Sequence, residues 1–267
     1  EAWADHHAAN DRAPGLAVVL SGTDLYCDLP NDPQALKSLK LASHLVVLQE
    51  LGIQALPQAF RPKAQIIHQC CDVQVPDGPK PVRENFQVIQ VGHMREVKDP
   101  FTFMQAARLL NMESQVQWLH LGRCLDEQYL PLIRETQAIN PGYTWVDSVA
   151  HDAAVGLIAQ SDLLVHSSIA EGSPHVVIEA MALGTPVLAS RVDGNVGTLG
   201  IDYEGYFPVQ DVHALAAKVK ALYAEWQSQP PGGLLSRLTD QVKNRALLFT
   251  QQEESRRIRG LLTQLLQ

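Results

Sequence analysis

Leu163-Leu164-Val165-His166-Ser167-Ser168-Ile169-Ala170-Glu171-Gly172-Ser173-Pro174-His175-Val176-Val177-Ile178-Glu179 passes from an unbroken apolar run, through a polar loop, to apolar residues at helical spacing. Leu163, Leu164 and Val165 read as a buried strand. Val176, Val177, Ala180, Met181 and Leu183 continue a helix that Gly184 closes. Pro174 suits a first helical position, where its fixed φ fits and its missing N–H costs nothing. Glu171 then lies in the strand-to-helix loop, and Glu179 stands about five residues into the helix, roughly 7.5 Å along its axis. Between them the unpaired N–H groups of Ser173, His175 and Val176 point outward with the positive end of the helix dipole, which is an anion site. Two carboxylates flanking such a site suit a diphosphate with a sugar ring on either side, the layout of a nucleotide sugar. Taken alone, the same pair also reads as an exposed loop glutamate and a helix-surface glutamate.

The strand–loop–helix pattern repeats outward in both directions. Residues 16–20, 44–48 and 64–68 are short apolar runs, with a helical stretch near 32–41, and Pro76, Gly78, Pro79 and Pro81 read as a linker. Beyond it, strands at 86–91, 116–121, 143–146, 163–166 and 186–189 alternate with helices at 100–110, 127–138, 152–158 and 174–183, followed by terminal helices at 211–226 and 234–266. Such alternation predicts an α/β protein of two Rossmann-like doubly wound lobes, residues 1–80 and 81–267, with parallel sheets and ligands at the carboxyl ends of strands facing the cleft. The first lobe is short by at least one strand–helix unit, so the N-terminal lobe is expected to be incomplete. Residues 1–10 read as the tail of a helix already under way.

Composition excludes several classes. The chain has 267 residues, 46% hydrophobic and 19% charged, with a formal net charge of −8 and a pI near 5.6. That balance argues against general nucleic-acid binding, and no apolar run approaches the roughly 18 residues that span a membrane. Cys27, Cys70, Cys71 and Cys124 form no C-x-x-C pair and no metal-like spacing, so reduced thiols and a cytoplasmic setting are expected. The adjacent Cys70-Cys71 fits either buried thiols or a redox pair.

An acidic protein that binds an anion needs a local basic cluster, and Val91-Gly92-His93-Met94-Arg95-Glu96-Val97-Lys98-Asp99-Pro100 supplies one between a strand and a helix. Gly92 allows a sharp turn, and His93, Arg95 and Lys98 gather up to three positive groups. Fixed cations aimed at a departing diphosphate lower the barrier to breaking a glycosyl–phosphate bond, each contact being worth on the order of 3 kcal/mol. The bland alternative is a solvated Arg95 and Lys98 with His93 closing the strand. No paired acid/base carboxylates, no Ser-His-Asp set and no D-x-D metal site stand in these loops.

Glu171-Gly-Ser-Pro and Glu179-Ala-Met-Ala-Leu-Gly-Thr-Pro-Val-Leu-Ala-Ser190 together resemble the donor-binding signature of retaining-type, two-lobed (GT-B) glycosyltransferases of family 4. At finer grain the chain resembles the selenosugar synthases of selenoneine biosynthesis. That likeness is carried by Ser21-Gly-Thr-Asp-Leu-Tyr-Cys-Asp-Leu29, residues 91–101, Pro141-Gly-Tyr-Thr-Trp145 and the Gly194-Asn-Val-Gly segment reaching Pro208. The resemblance covers nearly the whole chain. It implies a UDP-sugar donor (UDP-N-acetylglucosamine or UDP-glucose), selenophosphate as acceptor, and no divalent metal or other cofactor.

Carried over residue by residue, the resemblance implies that Glu179 binds ribose hydroxyls and Glu171 the transferred sugar. Arg95 and Lys98 would clamp the diphosphate beside Gly92 and His93, with Gly172, Ser173 and His175 completing the donor site. His93 stands where many family 4 enzymes carry Arg. Gly122 and Trp145-Val146 would form the base pocket. On the acceptor side the resemblance implies Gly22, Thr23, Asp24 and Asn195, beside Gly194; Asp24 reads equally as a turn cap, and Asn195 equally as a turn residue. Family members begin with a further strand and glycine-containing loop, so part of the acceptor site is expected outside this sequence. A family 4 enzyme with a hydroxyl acceptor and a non-catalytic nucleotide-sugar-binding protein remain the alternatives. Oligomeric state and the stereochemical outcome are not legible.

Overall fold

The computed structural model describes residues 15–22, 24–29, 32–73 and 83–266, which form two parallel sheets. β1 (Ala17–Leu20), β2 (His44–Val47) and β3 (Ala64–Ile66) lie side by side in chain order. β4 (Phe86–Val91), β5 (Val116–Leu121), β6 (Tyr143–Val146), β7 (Leu163–His166), β8 (Val187–Ser190) and β9 (Tyr206–Phe207) make a second sheet in the order β6-β5-β4-β7-β8-β9. Parallel neighbours need crossovers, and helices supply most of them: α1 (Pro33–Leu41), α2 (Glu50–Ala55), α3 (Pro100–Leu109), α4 (Tyr129–Ile139), α5 (His151–Gln160), α6 (His175–Leu183) and α7 (Asp193–Leu199). The α/β class with two Rossmann-like sheets, expected from the alternation, is the fold. The linker prolines and residues 1–10 lie outside the described residues.

Strand order decides where a ligand can sit. From β4 the chain builds outward through β5 and β6, then returns to the other side of β4 to lay down β7, β8 and β9. The loops leaving β4 and β7 therefore diverge, and between them opens the crevice of a topological switch point. These are the loops that hold the basic cluster and the paired glutamates.

The larger sheet is rigid where this matters. Phe86, Val88 and Ile89 of β4 and Leu163, Leu164 and Val165 of β7 are fully buried, the near-continuous apolar pattern of strands covered on both faces. Phe103 of α3 packs edge-on against Trp118 of β5 at 5.1 Å between ring centroids. Each such side chain contributes about 1.5–3 kcal/mol by burial. Helix starts reuse one device: Asp32, Asp99 and Asp211 each cap the following helix, accepting from the backbone N–H of Gln34, Thr102 and Ala214 at 2.8, 3.2 and 2.8 Å.

Besides α2 and β9, which the sequence pattern does not announce, two elements depart from the pattern read in the sequence. The span 234–266 is two helices, α9 (Leu234–Ala246) and α10 (Gln251–Leu265), following α8 (Val212–Ser228). They part because Phe249 turns into the core and Thr250 accepts from Glu253 N–H to start a new helix. α10 then returns to the small sheet, where Leu261 packs on Val46 and Ile67 and the Leu265 carbonyl accepts from Gly15 N–H at 2.8 Å. The second departure is α7, which carries the Gly194-Asn195 segment as a buried helix packed against α2. Their approach is so close that a Cβ on Gly197 would lie 1.8 Å from Gln49 Oε1. Arg245 seals this seam, donating to the Gly197 and Thr198 carbonyls at 2.6 and 2.9 Å and to both oxygens of Glu50 at 2.9–3.0 Å. Among the described residues no helix is long and apolar enough to cross a membrane.

Overpacking of this kind costs about 1–3 kcal/mol. Gly197→Ala is therefore expected to lower the thermal midpoint by roughly 2–8 °C while leaving the far-ultraviolet circular dichroism spectrum unchanged. An unshifted midpoint would mean that the seam yields without cost.

Candidate active site

The two switch-point loops are held as one body. Ile169 N–H donates to the Val97 carbonyl at 2.9 Å, and Ser167 Oγ donates to the Asp99 carbonyl at 2.8 Å. Asp99 takes a left-handed conformation, φ 43°, which is uncommon for a residue with a Cβ. It ends the short turn Glu96–Lys98 and begins α3 in one step. Lys98 is left projecting from the turn, its Nζ 2.5 Å from Glu171 Oε1. His166, buried at the carboxyl end of β7, brings Nε2 to 3.0 Å from the same oxygen. Burial alone would raise the Glu171 pKa. The His166 hydrogen bond and the charges of His166 and Lys98 outweigh it and hold the carboxyl at about 2.

Glu179, on α6, is handled the same way by different partners. His151 Nε2 and His175 Nδ1 stand 2.7 and 3.1 Å from its Oε1, and its side chain is only 8% exposed. Burial pushes its pKa up, but the two histidines prevail and depress it; in return Glu179 raises the pKa of both. In each glutamate one oxygen takes both contacts, and among the described residues Oε2 carries no hydrogen bond.

Two cavities open beside the Lys98–Glu171 contact, and Glu179 is in the wall of neither. One, of about 230 Å³, lies between the sheets and is lined by Ser21, Gly22, Tyr26, Arg95, Lys98, Glu171, Gly172 and Ser173 among others. The other, of about 310 Å³ and largely apolar, is lined by Gly92, His93, Leu121, Gly122, Ser148, Val149 and again Lys98. Lys98 thus stands in the wall of both. The lobes meet at Gly172, where a Cβ would fall 1.6 Å from the Ser21 carbonyl oxygen; any side chain there would push the first lobe away.

Of the donor-side residues expected from the sequence, Gly92, His93, Arg95, Lys98, Gly122, Glu171, Gly172 and Ser173 line these cavities, whereas Val146, His175 and Glu179 do not. His93 Nδ1 accepts from Arg123 N–H at 3.1 Å, which ties the ring to the neighbouring loop, while Arg95 and Lys98 line the inter-lobe cavity. Arg95 is exposed, and among the described residues its guanidinium has no hydrogen bond or ion pair. Ser173 turns its hydroxyl toward Thr198 at 3.1 Å and offers the cavity its backbone. Val146 serves through its carbonyl, which accepts from Gly122 N–H at 3.0 Å, and the apolar cavity is walled instead by Ser148 and Val149.

On the other side, Asp24 turns onto its own loop. Its carboxylate accepts from the N–H groups of Ser21, Gly22 and Leu25 at 2.5–3.0 Å, as a turn cap does. Thr23 lies outside the described residues. Asn195 is fully buried inside α7, donating to the Ser190 carbonyl at 2.8 Å, away from both cavities. Gly194 lies under the site, where a Cβ would come within 2.0 Å of the Glu171 carbonyl oxygen.

Three residues escaped the sequence reading. Tyr26 lines the inter-lobe cavity with its hydroxyl accepting from Gln49 Nε2 at 2.6 Å, and His166 and His151 hold the two acids. A buried strand ending in His166 was the one available signal. The others depend on tertiary placement.

The family model described as glycosyl transferases group 1 matches residues 77–238, more than half of the chain. A comparison with curated proteins found no match. Among solved structures, HepE of Anabaena, determined with UDP and glucose, is similar at 17% identity and a TM-score of 0.72, covering 94% of this chain and 72% of that one. The pneumococcal O-GlcNAc transferase GtfA, solved with UDP and GlcNAc, gives 18% identity and 0.75 over 94% of this chain and 53% of its own. Sucrose-phosphate synthase of Thermosynechococcus elongatus gives 19% and 0.73 over 93% and 67%. The likeness shows a shared fold, and this chain spans from about half to about three quarters of those proteins.

A folded-state pKa near 2 for Glu171, below the ordinary 4.5, means that its pairing stabilises the fold fully above pH 4.5 and that this contribution is lost as pH falls from 4.5 toward 2. Lys98→Met should shrink the difference in urea-unfolding free energy between pH 6 and pH 3 by about 1 kcal/mol. Identical pH slopes for parent and variant would show that Lys98 does not charge-balance Glu171.

Proposed function

This chain belongs to the glycosyl transferases group 1 family, and we propose that it moves a hexose, N-acetylglucosamine or glucose, from a UDP-sugar to selenophosphate, as a selenosugar synthase within family 4. The observation that carries the reading is the Lys98–Glu171 pair standing between the two cavities. With the uracil in the apolar cavity and the ribose at Glu179, the diphosphate would reach Lys98 while the hexose hydroxyls engage Glu171. Residues 81–267 would then carry the donor and residues 1–80 the acceptor side. UDP in the HepE and GtfA structures supports the choice of donor.

In the reaction the anomeric carbon–oxygen bond to the β-phosphate breaks, the selenium of selenophosphate forms the new bond to that carbon, and UDP leaves with the electron pair; water then attacks phosphorus, the phosphorus–selenium bond breaks, and phosphate leaves the 1-seleno-sugar behind. Charge growing on the departing phosphate is met by Lys98 and Arg95, so the reading requires no divalent metal. Two features support an acceptor that is already an anionic nucleophile. Glu171, the carboxylate in the cavity wall, is held near a pKa of 2 and already occupied, which makes it a poor general base. Arg95 and the Tyr26 hydroxyl, meanwhile, offer donors to an anion entering the inter-lobe cavity. Cys70, Cys71 and Cys124 are free thiols, as a reducing compartment requires.

Incubation with selenophosphate and either UDP-N-acetylglucosamine or UDP-glucose should yield UDP and a 1-seleno-sugar by mass spectrometry. Turnover with alcohols and none with selenophosphate would replace this reading with a hydroxyl-acceptor enzyme. UDP binding without consumption of any donor would make the protein a nucleotide-sugar binder. In the same assay Lys98→Ala should lower kcat by about two orders of magnitude, whereas Glu179→Ala should act mainly on the donor KM.

A further inference from the structure

His151 and His175 are the first residues of α5 and α6. The free N–H groups at a helix start repel a cation by about 0.3–1 kcal/mol, and neither histidine caps its helix, that position belonging to Ala150 and Pro174. Two imidazoles placed against the local preference of two separate helices converge on one atom, Glu179 Oε1, at 2.7 and 3.1 Å. Both rings are more than half exposed, at 63% and 51%, so burial does not hold them there. The other groups facing the cluster are acidic or neutral: Asp152 Oδ1 lies 3.7 Å from His151 Nδ1, Glu254 and the Cys70 backbone face His175, and the Cys71 thiol is pushed up to about 11 by burial and by Glu179. Glu179 is the partner that draws the two rings together.

A carboxylate that receives two vicinal hydroxyls must be ionised and fixed about its last torsion, which is otherwise broad. Two donors on Oε1 do both and leave Oε2 without a partner among the described residues. We infer that His151 and His175 act together as positioning residues, clamping one oxygen of Glu179 so that the other is presented to the paired 2′- and 3′-hydroxyls of the donor's ribose. The assignment rests on the nucleotide-sugar reading of the site. It makes ribose recognition depend on His151, from α5, the helix whose Ala154 also lines the apolar cavity.

The test compares binding of UDP and of 2′,3′-dideoxyuridine diphosphate, which lacks both hydroxyls, by titration calorimetry. Wild-type protein should bind UDP about tenfold or more tightly than the dideoxy analogue, since a hydrogen bond to a charged group is worth that much. The double variant His151→Ala/His175→Ala should reduce the preference to less than about threefold through weaker UDP binding. His151→Gln/His175→Gln, whose amides can still donate, should restore part of it. A merely structural pair would shift thermal stability and leave the preference intact, and a preference unchanged in the alanine variant overturns the inference while leaving the donor reading standing. Equal binding of the two nucleotides by wild type would remove the ribose role of Glu179 and this inference with it. No binding of either would take the nucleotide-sugar reading down as well.

Discussion

A carboxylate taken out of water costs several kcal/mol unless its charge is met, and the cleft of this protein is organised around meeting that cost twice. Glu171 and Glu179 are both largely buried, both ionised, and both held through Oε1 by a pair of nitrogen donors. One pair, Lys98 and His166, comes from the loop after β4 and the end of β7. The other, His151 and His175, comes from the starts of two helices. The unbonded Oε2 atoms keep the hydrogen-bonding capacity that hydroxyl-bearing ligands use, so the free site is preorganised and little reorganisation is needed on binding.

Everything that fixes those nitrogens follows from the sheet. β4 and β7 are adjacent, β7 buried throughout and β4 buried but for Gln87 and Val91, so the loops they release are anchored at their roots and diverge at the switch point. The left-handed Asp99 aims Lys98 across this gap, and Ser167 ties the two loops from below. The first lobe touches them at backbone range through Ser21 and Gly172, while the α2–α7 seam and the return of α10 hold that lobe in place. A small lobe with a three-stranded sheet gains its position from helices supplied by the end of the chain.

Much of this was legible in the sequence because it is periodic or punctuated. Apolar runs marked the strands, Asp-Pro marked the starts of α1 and α3, and Glu171, Glu179 and Lys98 declared themselves by position relative to those elements. What was illegible came from tertiary competition. α7 holds two glycines and little helical propensity, and forms because its buried face meets α2. Asp24 offers the same sequence signal whether it faces a ligand or its own loop; three nearby N–H groups decide for the loop. Asn195 reads as a turn residue but is fully buried in α7. His151 carries no pattern at all and Tyr26 stands out only as part of the resemblance over residues 21–29, since each matters through a partner more than twenty positions away.

The central claim is that Lys98 and the two glutamates together define one nucleotide-sugar site at the switch point. A crystal structure of the protein with UDP bound tests it most directly. The account predicts the uracil against Gly122 and Val149, ribose hydroxyls within about 3 Å of Glu179 Oε2, and the diphosphate beside Lys98. UDP lodged elsewhere, for instance in the cleft lined by Glu225, Trp226 and Asp240 between α8 and α9, with Glu179 untouched, would contradict it.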